Sequence, residues 1–326
     1  MKKKIAIAAG GDSGEYEVSI KSAAVVEEHL DRELYDTYVI VMRNNEWKHT
    51  DDGGEVHFIN REDFSLSIRG EKIIFDAVYI AIHGTPGEDG KLPAYLDMLN
   101  IPYTACNQTT SAITFNKYFC NLLVSGLGVR VAPSIVLHKG MELDYEAILD
   151  VSGLPCFVKP NSGGSSVGMS KVNNAGDLPS AIEKAFIEDE QVLVEGFISG
   201  REITCGVIAD GDKVRSLPLT EIVSKKEFFD YEAKYTDGLA SEITPAQVPK
   251  QVEQQCRDTS EMLYKRLNCQ GVVRVDYIFN ESGLFFLEVN TIPGLSANSI
   301  IPQQAAYAGI SLPELFSIVL KQALAN

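Results

Sequence analysis

The stretch GVVRVDYIF (residues 271–279), followed after a turn by GLFFLEVNTIPG (residues 283–294), decides how this chain is read. Both halves are rich in β-branched and aromatic residues and alternate with the period of two that a strand requires. Side chains two apart in a strand share a face, so Arg274 and Asp276 project together while Val273, Val275 and Tyr277 project oppositely. Glu288 and Asn290 share a face by the same rule. A turn at residues 280–283 makes the two strands a hairpin, and the register that sets Asp276 opposite Glu288 also sets Arg274 opposite Asn290. Two carboxylates, a carboxamide and a guanidinium then share one surface. Hard oxygen donors of this kind suit Mg2+, which keeps water and phosphate oxygens as its other ligands. The competing reading is a solvated hairpin face closed by an ion pair.

Upstream, CFVKP (residues 156–160) reads as an apolar strand ending at Lys159, and the glycine-rich loop NSGGSSVG (residues 161–168) follows it. Glycines let the backbone come close to phosphate oxygens and present amides to them, and a strand-borne lysine adds a point charge. A lone lysine is ordinarily a surface residue; beside this loop, and with the acidic hairpin, it points to phosphoryl transfer. The commoner nucleotide and nucleophile motifs fail. GGDSG (residues 10–14) is not GxGxxG, and MRNNE (residues 42–46) offers no clear ribose-binding acid after the second strand. Gly90-Lys91 is followed by Leu92 and lacks the upstream glycine of a P-loop. GSSVG (residues 164–168) matches a hydrolase nucleophile elbow around Ser166, but His29, His49, His57, His83 and His138 all precede it, whereas that fold needs its histidine afterwards.

Outward from these motifs the chain alternates strands and helices. Apolar runs at residues 5–9, 38–42 and 77–82, with a helix carrying Ala23, Val26 and Leu30 on one face, predict a parallel α/β unit. A single helix is expected over residues 111–125, then a small α+β unit with a helix near 178–187 and a strand at 192–195, and a further helix over 250–267. The stretch SKKEFFDYEAKYTDGLASE (residues 224–242) has little periodicity, and so long a loop in a compact domain is more often functional than idle.

With 326 residues the chain exceeds one typical core and suggests two or three domains. No apolar run approaches the roughly 20 residues of a membrane span. MKKKIAIAAGG (residues 1–11) has too short an apolar run for a signal peptide and reads as a first strand. The 6 cysteines are scattered without a CxxC pair, which fits reduced thiols and a cytoplasmic location. The 29 Lys and Arg against 45 Asp and Glu give a net charge of −16, which argues against nucleic acid or an anionic membrane as partner. A bound polyanion must therefore be held by a few focused cations, a metal or backbone amides.

Taken together and in order, GGDSGEYEVS (residues 10–19), HGTPGEDG (83–90), KPNSGGSSVGMSKV (159–172), DYEAKY (230–235), VRVDYIF (273–279) and LEVNTIPG (287–294) resemble the D-alanine-D-alanine ligases of the ATP-grasp superfamily, and the likeness covers nearly the whole chain. The resemblance implies a three-domain α/β architecture: an N-terminal α/β domain (1–107), a central domain (108–196) and a C-terminal catalytic domain (197–326) with a lid at 224–242, ATP lying between the last two. It implies ATP-dependent ligation of two D-alanine molecules through an acyl phosphate, for peptidoglycan precursors. A D-alanyl-D-lactate or D-alanyl-D-serine ligase, or a non-catalytic ATP-grasp protein, are the alternatives. It also implies a cytoplasmic homodimer and two Mg2+ ions, with Mn2+ able to substitute.

Motif by motif, the resemblance gives Glu15 the ammonium of the first D-alanine and Lys117 and Lys159 the ATP phosphates. Glu195 matches the residue at the adenine, Glu202 the ribose-binding acid, and Asp276, Glu288 and Asn290 the metal ligands. Arg274 and the Gly294 backbone match the groups facing the developing oxyanion. Ser299 and Lys234 match those holding the second D-alanine's carboxylate, Lys234 standing also on the nucleotide side. Glu15, Ser165 and Tyr235 match a hydrogen-bonded chain linking three domains. The sequence departs from the family pattern at NSGG, where a charged residue often precedes the second glycine, and at Gly196, where a lysine is frequent after the glutamate.

Overall fold

Ile5, Ala6, Ile7, Ala8 and Ala9 are all buried along β1 (Lys3–Gly10), because both faces of this strand are covered. The computed structural model describes residues 2–164, 167–211, 213–224 and 240–325. β1 pairs in parallel with β2 (Tyr35–Arg43) and with β7 (Ala77–Ile80), and the helix α1 (Tyr16–His29) lies against it with Ala23 and Val26 buried. That much is the parallel α/β unit expected from the sequence. The strand-helix alternation then breaks, since β3 (Glu46–Thr50), β4 (Val56–Asn60), β5 (Ser65–Ile68) and β6 (Glu71–Ile73) run as an antiparallel meander. The sheet is therefore mixed, in the order β6-β5-β4-β3-β2-β1-β7. These four strands are short and mostly polar or exposed, so they carry little of the apolar periodicity by which strands are read.

α2 (Lys91–Met98) follows, and the single helix expected over 111–125 is two: α3 (Gln108–Phe115) and α4 (Lys117–Gly126). Asn116 between them is extended, and its Oδ1 accepts a hydrogen bond from Phe119 N at 3.0 Å, starting a new helix with a side-chain cap. Its helical neighbours on both sides hide the break from a periodicity argument.

A second sheet holds β8 (Ser134–His138), β9 (Cys156–Pro160), β10 (Ser170–Val172) and β11 (Gln191–Gly196) in the order β10-β9-β11-β8. With α5 (Tyr145–Ser152) and α6 (Leu178–Glu188) it encloses its own core, which includes Leu137, Ile148, Val158, Ile182 and Val194. The third sheet has β12 (Arg201–Asp210) between β14 (Thr220–Ser224) and β16 (Val272–Asn280), with β15 (Ala240–Ile243) and β17 (Gly283–Asn290) at its edges and β13 (Lys213–Ser216) also paired to β12. α7 (Lys250–Arg266) packs on this sheet, burying Val252, Cys256 and Leu263. The last helices, α8 (Ile300–Tyr307) and α9 (Leu312–Ala325), bring Ile301, Leu315 and Phe316 into one core with Ile5, Val26 and Tyr79 of the first sheet. The first and third sheets thus share a core that the second does not enter.

Ser224 pairs with Ala240, so both ends of the expected lid stand side by side at one sheet edge. Residues 225–239 of that lid lie outside the described residues.

Candidate active site

The hairpin β16–β17 has the expected register, Arg274 opposite Asn290 and Asp276 opposite Glu288. A β-bulge between Asp276 and Tyr277 then sets Tyr277 opposite Phe286. Strict alternation along β17 would put Phe286 on the face of Glu288. The bulge instead lets Tyr277 and Phe286 turn into the core, both buried, while Leu287 and Glu288 line the cleft.

On the cleft side, the Arg274 fork closes on Asp276: Nε donates to Oδ1 at 2.8 Å and Nη2 to Oδ2 at 2.7 Å. Asn290 Nδ2 donates to Asp276 Oδ2 at 3.0 Å and to Glu288 Oε1 at 3.4 Å. Burial would loosen the proton on Arg274, but Asp276, then Glu288 and Glu202, outweigh it, and the guanidinium holds its proton more firmly than usual. The donor set fits a divalent cation: two carboxylates and an amide already meet at one point, and rotating the Asn290 amide exchanges Nδ2 for Oδ1.

This face opens into a cavity of about 230 Å3, whose walls also carry Glu15, Lys117, Glu202, Gly294 and Ser299. The start of α1, the loop after β7, α4, β12 and the segment before α8 each contribute to it. Gly164 runs so close to Glu15 that a Cβ there would stand 2.7 Å from Glu15 Oε2 and the carboxylate would have to shift. Lys117 Nζ donates to Gly163 O at 2.6 Å. The fully buried Asn161 accepts from Lys117 N through its carbonyl at 3.0 Å and from Tyr118 N through Oδ1 at 2.9 Å. The glycine loop is thereby fastened to the start of α4.

Lys159 and Glu195 do not line the cavity. They meet across β9 and β11 as a mostly buried pair, Nζ to Oε2 at 2.6 Å, and Glu195 Oε1 accepts from Asn121 Nδ2 at 3.0 Å. Ser165, Lys234 and Tyr235 lie outside the described residues.

Two family models match the chain: D-ala D-ala ligase N-terminus over residues 4–106 and D-ala D-ala ligase C-terminus over residues 123–321. The chain belongs to the D-alanine-D-alanine ligase family. It is 46% identical over 322 residues to the D-alanine–D-alanine ligase of Phocaeicola vulgatus, covering 98% of this chain and 99% of that one. Among solved structures it is similar to the D-Ala:D-Ser ligase of Enterococcus faecalis, with 31% identity, TM-score 0.88 and coverage of 99% and 100%. It is also similar to D-alanyl-alanine synthetase A of Vibrio cholerae, with 26% identity, TM-score 0.90 and coverage of 100% and 99%. The ligase has the three-domain ATP-grasp architecture of these relatives.

Two further residues line the ligase cavity that sequence reasoning left without a role, His83 and Glu88. Burial, opposed by the charge of Glu15, lowers the affinity of His83 for a second proton. Burial and then the charge of Glu15 push the Glu88 carboxyl up to about 8. Both belong to the motif HGTPGEDG, which signalled the family but not what these side chains touch.

Proposed function

We propose that the chain uses ATP to join two D-alanine molecules into D-alanyl-D-alanine through an acyl phosphate, supplying peptidoglycan precursors. The observation that carries this reading is the convergence of the Arg274, Asp276, Glu288 and Asn290 face with Glu15 in one cavity. Glu15 receives the ammonium of the first D-alanine, whose carboxylate then points toward Arg274. An oxygen of that carboxylate takes the γ-phosphoryl group of ATP, and ADP leaves. Lys117 and Lys159 neutralise phosphate charge, Glu195 and Glu202 hold adenine and ribose, and alignment with charge neutralisation is most of what this chemistry needs from a protein. Asp276, Glu288 and Asn290 hold Mg2+, which when bound neutralises further phosphate charge. The amine of the second D-alanine, its carboxylate held by Ser299 and Lys234, attacks the acyl carbon. Arg274 and the Gly294 N–H meet the oxyanion, and phosphate leaves. The acyl phosphate hydrolyses readily, so water is shut out by the segment 224–242, with Glu15, Ser165 and Tyr235 linking the domains over it.

We set the domain limits at 1–107, 108–196 and 197–326, a division supported by the strands of one sheet falling within each span. A cytoplasmic location is supported by six free, buried cysteines, and the homodimer rests on the family resemblance alone. The test is phosphate release from ATP with D-alanine alone, against D-alanine plus D-lactate or D-serine, with mass spectrometry of the products. D-alanyl-D-alanine as the main product in every mixture supports the reading. A depsipeptide or D-alanyl-D-serine as the main product overturns the choice of nucleophile, and ATP turnover without any ligated product overturns the ligase assignment.

A further inference from the structure

We infer that Ser22, His83 and Glu88 are positioning residues that clamp the turn at residues 292–295, and through it aim the Gly294 amide at the reacting carbonyl; this rests on the function proposed above. Three backbone groups of that turn are taken by side chains from the first unit. Ile292 N donates to Glu88 Oε1 at 3.3 Å. His83 Nδ1 meets Ile292 O at 2.8 Å. Leu295 N donates to Ser22 Oγ at 3.3 Å. The held points bracket Pro293, which has no N–H, and Gly294.

The hydrogens in this chain have only one consistent arrangement. A carbonyl oxygen can only accept, so His83 Nδ1 carries the hydrogen directed at Ile292 O. A neutral imidazole then has Nε2 bare, and Ser22 Oγ, 3.0 Å away, donates its hydroxyl hydrogen to it. Ser22 Oγ meanwhile accepts from Leu295 N. Ser22 Oγ thus donates once and accepts once, and burial, which keeps His83 neutral, preserves that arrangement. Glu88 braces the clamp as well, because its Oε2 accepts from Gly84 N at 2.7 Å, just after His83.

Apolar packing alone could join the two units, and Ile292 does pack among Ile80, Ile82 and Leu92. A fully satisfied polar relay over separations of 204, 209 and 273 residues does something packing does not: it fixes the direction of backbone dipoles. A donor fixed before the reaction needs no reorganisation when the oxyanion forms. Such an amide is also sensitive to aim, since a shift of about 1 Å can cost on the order of 100-fold in rate. Gly294 itself has little room, as a Cβ there would stand 2.9 Å from Ser299 Oγ.

The experiment compares His83→Ala, His83→Asn and Ser22→Ala in the full chain for kcat, for KM of ATP, for thermal stability and for affinity to a phosphinate mimic of the tetrahedral adduct. Asparagine places an amide N–H near where Nδ1 stands, so it restores the bond to Ile292 O and omits the link to Ser22. The clamp predicts that His83→Ala lowers kcat by about 100-fold and phosphinate affinity in parallel, with KM for ATP within about twofold. It predicts that His83→Asn recovers about tenfold of that loss, and that Ser22→Ala falls between. Should His83→Ala fail to fold, Ser22→Ala, which removes a single oxygen, decides the matter. The clamp is overturned if folded variants keep wild-type kcat and phosphinate affinity while only losing stability, or if asparagine does no better than alanine. Failure of the ligase reading is separate, because it shows as wild-type protein that forms no dipeptide.

Discussion

Two ion pairs of this molecule, Arg274–Asp276 and Lys159–Glu195, are built differently. Arg274 and Asp276 lie on one strand of the third sheet, joined by a two-pronged fork and braced by Asn290. Lys159 and Glu195 lie on neighbouring strands of the second sheet, joined by one contact at 2.6 Å, and among the described residues Asn121 Nδ2 also donates to the carboxylate. A guanidinium fork holds both its own plane and its partner's, whereas an ammonium is a point charge on a flexible stem. The first pair is therefore a fixed part of the cleft wall. The Lys159 ammonium can turn on its stem without disturbing the strands that carry it, and on the function proposed above a phosphate oxygen is the partner it turns to. The sheets bearing them differ in the same sense, since the third shares a core with the first and the second has a core of its own.

Breaking the rigid pair gives the largest expected effect. Asp276→Asn leaves Arg274 charged, mostly buried and without its carboxylate, which costs about 3 to 5 kcal/mol of stability, measurable by urea unfolding. Glu288→Gln keeps size and leaves the Arg274–Asp276 fork in place, so it is expected to leave the melting temperature within a few degrees while ligation becomes undetectable. Mn2+ titration of that variant by calorimetry is expected to show weakened binding. A Glu288→Gln protein with near wild-type turnover would remove the metal from this face.

Next comes Arg274→Lys, which keeps the charge and loses the fork. Its expected result is a fall of about 100-fold in kcat with little change in KM for ATP. An unchanged kcat would demote Arg274 to a structural partner of Asp276. The flexible pair is expected to behave in the opposite way. Lys159→Gln removes one charge-assisted contact of about 1.5 to 3 kcal/mol, so KM for ATP rises by about tenfold or more while kcat changes less. Equal losses in kcat from Arg274→Lys and Lys159→Gln would erase the distinction between the two pairs.

The hairpin was legible in the sequence because its signals are local. A period of two, a four-residue turn and polar residues on one face fix which side chains meet, and Arg274, Asp276, Glu288 and Asn290 meet in that register. What the same pattern could not reveal is the bulge, since both Phe286 and Glu288 fit a strand and only the packing of Tyr277 decides which turns inward. Asn116 splits a helix by a side-chain cap inside a sequence that otherwise reads as helical. The polar meander of β3 to β6 gave too weak a period to be seen. Resemblance assigns Lys159 and Glu195 each to the nucleotide, but their contact with one another depends on the pairing of β9 with β11 across 36 positions. Ser22, His83 and Glu88 act on backbone atoms more than 200 positions away, a distance at which no spacing rule operates.

The smallest expected effect sharpens the comparison most, because it concerns a residue that touches only the flexible pair. Asn121 is buried on α4 and gives Glu195 Oε1 its one hydrogen bond from that helix. Removing it by Asn121→Ala costs a bond to a charged acceptor, about 1.5 kcal/mol, and leaves Lys159 as the carboxylate's remaining side-chain partner among the described residues. Glu195 then swings with Lys159, so the lysine is less available to the nucleotide and KM for ATP is expected to rise about threefold. Asn121→Asp tests the electrostatics separately from the lost bond, since it sets a second carboxylate against Glu195 in a buried place. One of the two must then take up a proton or the pair must spread, and Lys159 is drawn more tightly to the doubled negative charge. Nucleotide binding is therefore expected to weaken more for Asn121→Asp than for Asn121→Ala, and to recover in the aspartate variant as the pH is lowered through the carboxylate range. Calorimetric titration with ADP across pH measures this without requiring turnover. Equal affinities for the two variants at every pH would mean that Asn121 fills space beside Glu195 and does not tune its pairing with Lys159.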